Sequence, residues 1–502
     1  MLAIKTLHIR PEDNVVVTLK PLKKGEETII DKLTLKPVED IPEGHKMAIK
    51  RIATGEKVFK YGYPIGVATR EIRVGEWVHS HNLATGLKGK LEYTYNPQKT
   101  FLQKSDKIPS FPGYRRENGK VGIRNEIWII PTVGCVNKRC EKLALLAREK
   151  FKEVIDSGEI GGIYTFSHPY GCSQLGDDHE NTQKILAGLV KHPNAGGVLV
   201  VGLGCENNQI SEFKKFLDTE ASARLRFMVM QEVEDEIATG IELLSELVNY
   251  AGSFQREEIP VSELKIGLKC GGSDGFSGIT GNPLVGRVAD LLTSYGGTCI
   301  LTEVPEMFGA ETILMNRARD EKVFNRVVEL VNGFKDYFIR NGQEVYENPS
   351  PGNKKGGITT LEEKSLGCTQ KGGTGTVVDV LRYGEQIKTK GLNLLEGPGN
   401  DIVSTTAMTA AGVHLILFTT GRGTPLGAPV PTIKISTNSM LAEKKAQWID
   451  FDAGRLLFGE KMDNLAQELF TYILQVANGD QKSRNEENDY RDIAIFKTGV
   501  TL

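Results

Sequence analysis

The 502-residue sequence lacks the features that mark membrane, nucleic-acid-binding and secreted proteins. It contains no run of about 18 apolar residues, which a transmembrane helix requires. The net charge is −2, so there is no basic excess to attract nucleic acid or an anionic membrane. The first residues alternate as in a strand and show no apolar core of a signal peptide. We therefore expect a cytoplasmic protein that binds neither nucleic acid nor a membrane.

Paired cysteines and nucleotide motifs are also missing. The seven cysteines are an odd number between Cys135 and Cys368 and include no CxxC pair, which favours free thiols in a reducing cytosol. No GxGxxG motif follows a strand with an acidic residue about 20 positions on, and no GxxxxGK[ST] occurs, so nucleotide binding is weakly supported. No GxSxG is present, which argues against a serine nucleophile on an elbow.

What the sequence does contain is a division into one β-rich region and two α/β regions. Residues 1–97 hold short strand-like runs broken by turn signals and predict a small β domain. Residues 98–112 have the polar composition of a linker. Residues 113–260 and 261–502 repeat the order strand, polar loop, helix, which predicts two α/β units with largely parallel sheets.

The polar loops after predicted strands are the candidate ligand sites, because open α/β sheets bind ligands at the carboxyl ends of their strands. Residues 167–182 form one such loop, between a strand-like run at 162–166 and a helix-like run at 183–190. This loop supplies His179 as a candidate base, with Asp177 and Asp178 beside it. Either aspartate could also cap the following helix.

Histidine and cysteine supply the candidate metal ligands. His79 and His81 lie two residues apart, so in an extended segment both would face the same cation, and imidazole suits iron or zinc. The alternative is an exposed polar strand end. Five cysteines stand beside glycine and could be metal or cluster ligands, or small apolar fillers of tight corners: Cys135, Cys172, Cys205, Cys270 and Cys368.

Charged residues in the remaining loops divide by sign. Two cations sit in glycine-bearing loops, one of them in the polar run 360–375, and would suit an anionic substrate such as a carboxylate: Lys371 and Arg422. The glutamates in loops have few counter-charges near them in sequence, and we expect at least some of them to be solvated: Glu206, Glu303, Glu306 and Glu311.

Several long motifs resemble the altronate/galactarate dehydratase family. They include Gly75-Glu-Trp-Val-His-Ser-His-Asn82, His168-Pro-Tyr-Gly-Cys-Ser-Gln-Leu-Gly-Asp-Asp-His179, Cys270-Gly-Gly-Ser-Asp-Gly275 and Lys364-Ser-Leu-Gly-Cys-Thr-Gln-Lys371. The resemblance covers essentially the whole chain. It implies an N-terminal β module of the SAF type followed by an α/β dehydratase body.

The same resemblance implies the reaction and the cofactor. The expected reaction is loss of water from a sugar acid, D-altronate giving 2-dehydro-3-deoxy-D-gluconate, with Fe²⁺ or Mn²⁺ required. Galactarate is the nearest alternative substrate. Two further alternatives are an iron–sulfur dehydratase built on three of the glycine-flanked cysteines and a non-catalytic sugar-acid-binding module. As partners we expect a small sugar acid and a second copy of the chain, although the sequence leaves the oligomeric state open.

Such an elimination needs a base for the C2 proton, an acid for the C3 hydroxyl and a Lewis acid at the carboxylate. We assign His79 and His81 as metal ligands or acid, with Glu206 or Cys205 as a third ligand. His179 is the base candidate, oriented by Asp177 or Asp178. The substrate carboxylate is assigned to Lys371 and Arg422, and the substrate hydroxyl groups to Gln174, Asn207, Asn208 and Ser273.

Overall fold

The computed structural model describes residues 5–30, 33–98, 102–217, 223–499 and 501. Residues 99–101 of the predicted linker therefore lie outside the described residues. No helix in the described part of the chain combines the length and the apolar character that crossing a membrane requires.

Short antiparallel strands build the N-terminal module. Four of them form a sheet in the order β1-β2-β5-β8, three form the sheet β6-β7-β9, and β3 pairs with β4. Apolar residues such as Val15, Val58 and Ile65 fill the interior. The predicted small β domain is confirmed, with strands β1 (Thr6–Leu7), β2 (Val15–Thr18), β3 (Thr28–Ile30), β4 (Leu33–Leu35), β5 (Lys46–Ala48), β6 (Lys57–Lys60), β7 (Tyr63–Ala68), β8 (Trp77–Val78) and β9 (Leu83–Ala84).

The second unit is organised around a four-stranded parallel sheet in the order β13-β12-β14-β15. Its strand β14 is buried along its whole length, as its continuous apolar run predicts. Three further strands form the antiparallel sheet β11-β10-β16. The elements are β10 (Ser110–Arg115), β11 (Val121–Gly122), β12 (Glu126–Pro131), α1 (Asn137–Lys150), α2 (Lys152–Asp156), β13 (Ile163–Thr165), α3 (Gly176–Val190), β14 (Ala195–Gly202), α4 (Ile210–Phe213), β15 (Leu225–Val229), α5 (Glu236–Gly252) and β16 (Glu257–Pro260).

The third unit holds a seven-stranded parallel sheet in the order β19-β20-β18-β17-β21-β22-β23. The prediction of two α/β units with largely parallel sheets is thus confirmed. The elements are β17 (Lys265–Cys270), α6 (Gly281–Ser294), β18 (Thr298–Leu301), α7 (Glu311–Met315), α8 (Glu321–Arg340), α9 (Pro351–Lys355), α10 (Leu361–Thr369), β19 (Val377–Leu381), β20 (Gly391–Leu395), α11 (Asp401–Ala411), β21 (Leu415–Thr420), β22 (Thr432–Ser436), α12 (Ser439–Lys444), β23 (Phe451–Asp452), α13 (Met462–Ala477) and α14 (Arg484–Glu487).

The second and third units pack against each other through α3 and α11. At Gly188 of α3, a Cβ atom would lie 2.5 Å from the carbonyl oxygen of Ala410. Glycine is therefore needed at this position for the two helices to approach so closely.

Two predicted loops are helical. Helix α3 begins at Gly176, so Asp177, Asp178 and His179 lie in its first turn rather than before it. Helix α10 occupies most of the polar run 360–375. All nine of its residues are buried, so it has no solvent-facing side and no amphipathic pattern to reveal it.

Candidate active site

The carboxyl edge of the seven-stranded sheet carries a cluster of buried reactive side chains. Strands β17 and β18 are parallel neighbours, and Leu268 pairs with Leu301. Cys270 at the end of β17 and Glu303 just after β18 therefore meet at one edge. Helix α10 brings Cys368 to the same place, and a 3₁₀ turn, Gln370–Gly372, brings Lys371.

Two thiols and a carboxylate form the centre of this cluster. The Sγ atoms of Cys270 and Cys368 are 3.3 Å apart, and the Cys368 thiol donates to Glu306 Oε2 at 3.1 Å. The hydrogen bond to Cys270 and burial raise the pKa of the Cys368 thiol well above its usual range. Among the described residues, this is the one group of three or more His, Cys, Asp or Glu side chains whose ligand atoms lie close enough to hold a metal ion.

Three lysines surround the centre and pair with its carboxylates. Lys371 Nζ donates to Cys270 Sγ at 2.7 Å and to Glu303 Oε2 at 2.9 Å. Lys364 Nζ lies 2.9 Å from Glu306 Oε1. The third lysine is Lys269, on β17. Its Nζ contacts Glu303 and lies 2.7 Å from Asp401 Oδ1.

The lysines fix the protonation state of Glu306. Burial acts to raise the pKa of this carboxyl, but the ammonium groups of Lys364, Lys269 and Lys371 outweigh burial and lower the pKa to about 2. The three lysine charges equal in number the carboxylate charges of Glu303, Glu306 and Asp401. The formal net charge of the cluster is therefore zero when both thiols carry their protons. A divalent ion that displaces the two thiol protons leaves the net charge of the cluster at zero.

Glu303 shows backbone strain at the centre of this arrangement. Its φ is +68°, in the left-handed region that a non-glycine residue rarely adopts. Its carboxylate is held by Lys269, by Lys371 and by the backbone N–H of Cys270 at 3.3 Å. Strain of this kind persists only where surrounding contacts over-determine it, and it clusters at active sites.

A cleft of about 500 Å³ opens beside the cluster, which is within the usual size range of small-molecule sites. Cys270, Glu306, Lys364 and Asp401 line one side of it. The segment from Glu347 to Pro351 lines the other. The cleft thus exposes both acidic and basic members of the cluster to a small polar ligand.

The N-terminal module is fastened to the helix that carries Cys368. Lys46 Nζ and Lys60 Nζ both lie 2.8 Å from carboxylate oxygens of Glu363 on α10. All three side chains are essentially inaccessible to solvent. Burial acts to raise the pKa of Glu363, but the two lysines outweigh burial and lower it to about 2. The module and α10 therefore form one buried ion-paired interface.

The predicted histidine pair lies at this interface and not in the thiol cluster. His79 is buried, stacks on Trp77 and places Nδ1 2.9 Å from Thr359 Oγ1. Burial and, less strongly, the Lys46 ammonium lower the pKa of His79 to about 3. His81 is exposed and tilted against Trp77.

The other two predicted metal ligands belong to a loop of the second unit. Glu206 accepts hydrogen bonds from Thr132 Oγ1 at 2.8 Å, from Leu203 N at 3.0 Å and from Gly204 N at 2.6 Å. Cys205 is exposed, and its sulfur accepts from Gln231 Nε2 at 3.7 Å. Within the described ranges, the structure brings neither of them into a group of three possible ligands.

The predicted base and its neighbours lie on α3. His179 is half-buried, burial lowers its pKa, and its Nδ1 has no hydrogen-bond partner among the described residues. Asp178 does not orient this ring, because its two oxygens accept from Thr498 N at 2.8 Å and Gly499 N at 2.7 Å. Asp177 is exposed. Asp178 therefore anchors the C-terminal segment.

Three of the side chains predicted to bind hydroxyl groups hold loops of the second unit together. Gln174 Oε1 accepts from Gly171 N, and Asn207 Oδ1 accepts from Ser173 N. Asn208 Nδ2 donates to the carbonyl oxygen of Thr132 at 3.0 Å.

The remaining two predicted substrate-binding residues lie near the glycine pair at the end of β17. Ser273 is buried, and its carbonyl oxygen accepts from Asn353 Nδ2. Arg422 is exposed, and its backbone N–H donates to the Gly272 carbonyl.

The loop glutamates are more buried than their sequence context indicates. The expectation that some of the loop glutamates are solvated is wrong, because all four are between 1% and 5% exposed: Glu206, Glu303, Glu306 and Glu311. Lys269, Lys364 and Asp401 were missed altogether. The positions of Cys270 and Glu303 after two buried strands were the one available signal.

Comparisons with known proteins place this architecture in a family. Three family models match consecutive parts of the chain: the altronate/galactarate dehydratase SAF domain at residues 4–86, the second domain of D-galactarate dehydratase/altronate hydrolase at 113–252, and the C-terminal domain of D-galactarate/altronate dehydratase at 261–501. The resemblance seen in the motifs is thereby confirmed.

Full-length relatives support the same assignment. The chain is 53% identical over 497 residues to the altronate dehydratase of Escherichia coli (strain K12) and 51% identical over 498 residues to that of Bacillus subtilis (strain 168), with 99% of each chain covered. It is 32% identical over 513 aligned residues to the galactarate dehydratase (L-threo-forming) of Escherichia coli (strain K12), covering 98% of this chain and 96% of the relative. The chain belongs to the altronate/galactarate dehydratase family.

Proposed function

We propose that this protein is a hydro-lyase that converts D-altronate to 2-dehydro-3-deoxy-D-gluconate and water. The observation that carries the proposal is the identity of 53% and 51%, over 99% of the chain, to two altronate dehydratases. The galactarate dehydratase of Escherichia coli (strain K12) is more distant, at 32%. Galactarate therefore becomes the comparison substrate in the test.

The cleft beside the thiol cluster supports this chemistry. Dehydration of a 2,3-dihydroxy acid requires a cation for the carboxylate, an acceptor for the C2 proton and a donor for the departing C3 hydroxyl. Lys364 lines the cleft and has its pKa raised, because the charge of Glu306 outweighs burial. It is therefore an ammonium at the cleft wall, held by Glu306 and by the side-chain oxygens of Asn348 at 3.1 Å and Asn353 at 3.2 Å, and the substrate carboxylate would have to replace one of these partners. The predicted role of Lys371 shifts, since it is fully buried and its contacts go to Cys270 and Glu303.

The donor atoms of the cluster fit Fe²⁺ better than Mn²⁺. Thiolate sulfur is a soft ligand that suits iron and zinc, whereas Mn²⁺ prefers oxygen. Cys270, Cys368 and Glu306 would hold the ion. Binding of a divalent ion in place of the two thiol protons would leave the net charge of the cluster unchanged. When bound, the ion supplies Lewis-acid stabilisation of the charge that develops on the substrate carboxylate. This group favours a single ion over the iron–sulfur alternative, because its third member besides the two cysteines is a glutamate.

Two groups compete for the role of C2 proton acceptor. Asp401 lines the cleft, and its side chain is 35% exposed while its Oδ1 is held by Lys269. His179 stays a prediction; its Nδ1 is buried without a hydrogen-bond partner among the described residues, and burial lowers its pKa. We favour Asp401, because the described residues that line the cleft include Asp401 and do not include His179.

Turnover and isotope exchange test these proposals together. Purified enzyme is assayed for 2-keto acid formation from D-altronate and from galactarate, with kcat/KM expected to favour D-altronate. A preference for galactarate would overturn the substrate assignment, and binding without turnover would overturn the enzymatic one. Exchange of the C2 proton with solvent deuterium is then compared in Asp401→Asn and His179→Asn. The variant that loses exchange identifies the acceptor, and exposed Asp463→Asn is the control.

The cytoplasmic location and the homodimer also stay proposals. The seven free cysteines suit a reducing compartment, which supports the first. Sedimentation of the purified chain tests the second.

A further inference from the structure

A second cleft, of about 600 Å³, lies between the N-terminal module and the third unit, and its described lining residues are all different from those of the first cleft. The module contributes the segment from Leu7 to Arg10 and two tyrosines, Tyr61 and Tyr63. The third unit contributes Arg317 and the turn that includes Gln370. Both parts of the molecule are therefore needed to form it.

The wall of this cleft contains a buried cation that forms no ion pair with any described residue. Arg317 is 6% exposed, and its Nη1 donates to the carbonyl oxygen of Gly373. Its Nε and Nη2 atoms are buried and have no hydrogen-bond partner among the described residues. Burial lowers the pKa of Arg317 to about 10, and the charge of Asp290 offsets this only in part.

An unpaired guanidinium in such a position is costly unless a ligand pairs with it. A buried charge is normally paired, and guanidinium matches the planar geometry of carboxylate and phosphate. Asp290 is occupied elsewhere, since its Oδ1 accepts from Thr374 N at 2.7 Å and Gly375 N at 3.2 Å, and its Oδ2 accepts from Thr374 Oγ1 at 3.0 Å. Arg10 adds a second cation from the module side.

The other residues that line the cleft indicate what kind of group the oxyanion would be attached to. None of the described residues that line the cleft is acidic. Apolar and aromatic side chains make up much of the wall: Leu7, Ile9, Tyr61, Ile279, Ile313 and Leu366. Such a surface suits a compact apolar group attached to an oxyanion.

We propose that this cleft binds a small organic anion, a carboxylate or phosphate on an apolar body, whose oxyanion pairs with Arg317. The site is separate from the substrate cleft, so the proposal does not depend on the reaction. The ligand bridges the module and the third unit. It also contacts Gln370, which precedes Lys371 in the 3₁₀ turn.

Calorimetric titration of the full-length protein with benzoate and with phenyl phosphate tests this. At least one probe should bind saturably with one site per chain, and the two probes distinguish carboxylate from phosphate. Arg317→Met keeps the length of the side chain without its charge and should weaken binding by at least tenfold. Arg10→Gln, at an exposed position, should weaken binding without disturbing the interior. The matched control is Arg319→Gln, two residues on, whose guanidinium is exposed and pairs with Asp320.

The thermal midpoint provides a second readout. The bound probe should raise Tm of the wild-type protein and of Arg319→Gln, and should leave Tm of Arg317→Met unchanged. If neither probe binds saturably to the wild-type protein, or if both Arg317→Met and Arg10→Gln bind with wild-type affinity, the proposal is wrong. If Arg317→Met does not fold, the Arg10→Gln and Arg319→Gln pair decides.

Discussion

The sulfur of Cys270 lies 3.3 Å from the sulfur of Cys368, although the two residues are 98 positions apart in the chain. One ends a central strand, and the other lies on a helix buried on all sides. Both are free thiols. Their approach, together with Glu306, creates the candidate metal centre.

Removing one of these sulfurs should abolish binding of the proposed metal ion. We expect Cys368→Ala to lose bound iron and to lower kcat/KM by more than about 100-fold, the upper end of the effect of losing an outer-shell partner. Elemental analysis and the dehydratase assay measure both. Cys299→Ala removes another buried thiol outside the cluster and should keep both properties. Full iron content in Cys368→Ala would exclude Cys368 as a ligand.

Neutralising Glu363 should loosen the N-terminal module. Glu363→Gln leaves Lys46 and Lys60 buried without a carboxylate, and breaking a buried ion pair costs about 3–5 kcal/mol. Urea unfolding monitored by tryptophan fluorescence measures the change in free energy. Glu71→Gln removes an exposed partner of Arg51 and should cost less than about 1 kcal/mol. Equal losses in the two variants would contradict the buried interface.

The buried histidines should make the protein less stable as the pH falls below 6.5. Burial lowers the pKa of His192 to about 3 from an ordinary 6.5. Between pH 6.5 and pH 3, this histidine is therefore protonated in the unfolded chain and neutral in the folded chain. Unfolding therefore becomes easier toward pH 3, by up to about 1.4 kcal/mol per pH unit for one histidine.

The slope of unfolding free energy against pH between 6.5 and 4 tests this. His192→Gln should flatten the slope by the contribution of one proton, whereas replacing exposed His81 by glutamine should leave it as it is. An unchanged slope in His192→Gln would show that this ring is protonated in the folded protein.

Asp178 should hold the C-terminal segment in place. Asp178→Ala removes the acceptor of the Thr498 and Gly499 amides, and we expect faster hydrogen exchange there and earlier proteolytic trimming of the tail. Asp177→Ala, at the exposed neighbouring position, is the control. If exchange at the tail were equally slow in both variants, the anchor would lie elsewhere.

The sequence predicted the sheets better than the centre they support. Buried strands such as β14 leave a continuous apolar run, and the polar loop that follows each strand is visible in the same pattern. Helix α10 leaves no such trace, because every one of its faces is covered. The pairing of Cys270 with Cys368 depends on distant segments, and nothing in local spacing encodes it. The histidines stood out by their spacing, but the structure uses His79 at a domain interface.

The lysine–glutamate contact between module and body also sets an order of events during synthesis. Lys60 and Glu363 are separated by 303 residues. At a translation rate of roughly 5–20 residues per second, Lys60 emerges about 15–60 s before its partner exists. Until Glu363 has been synthesised, Lys46 and Lys60 of the module must therefore remain hydrated. Its docking becomes the step that encloses α10, so a nascent chain cut short before Glu363 has neither a fastened module nor a thiol centre.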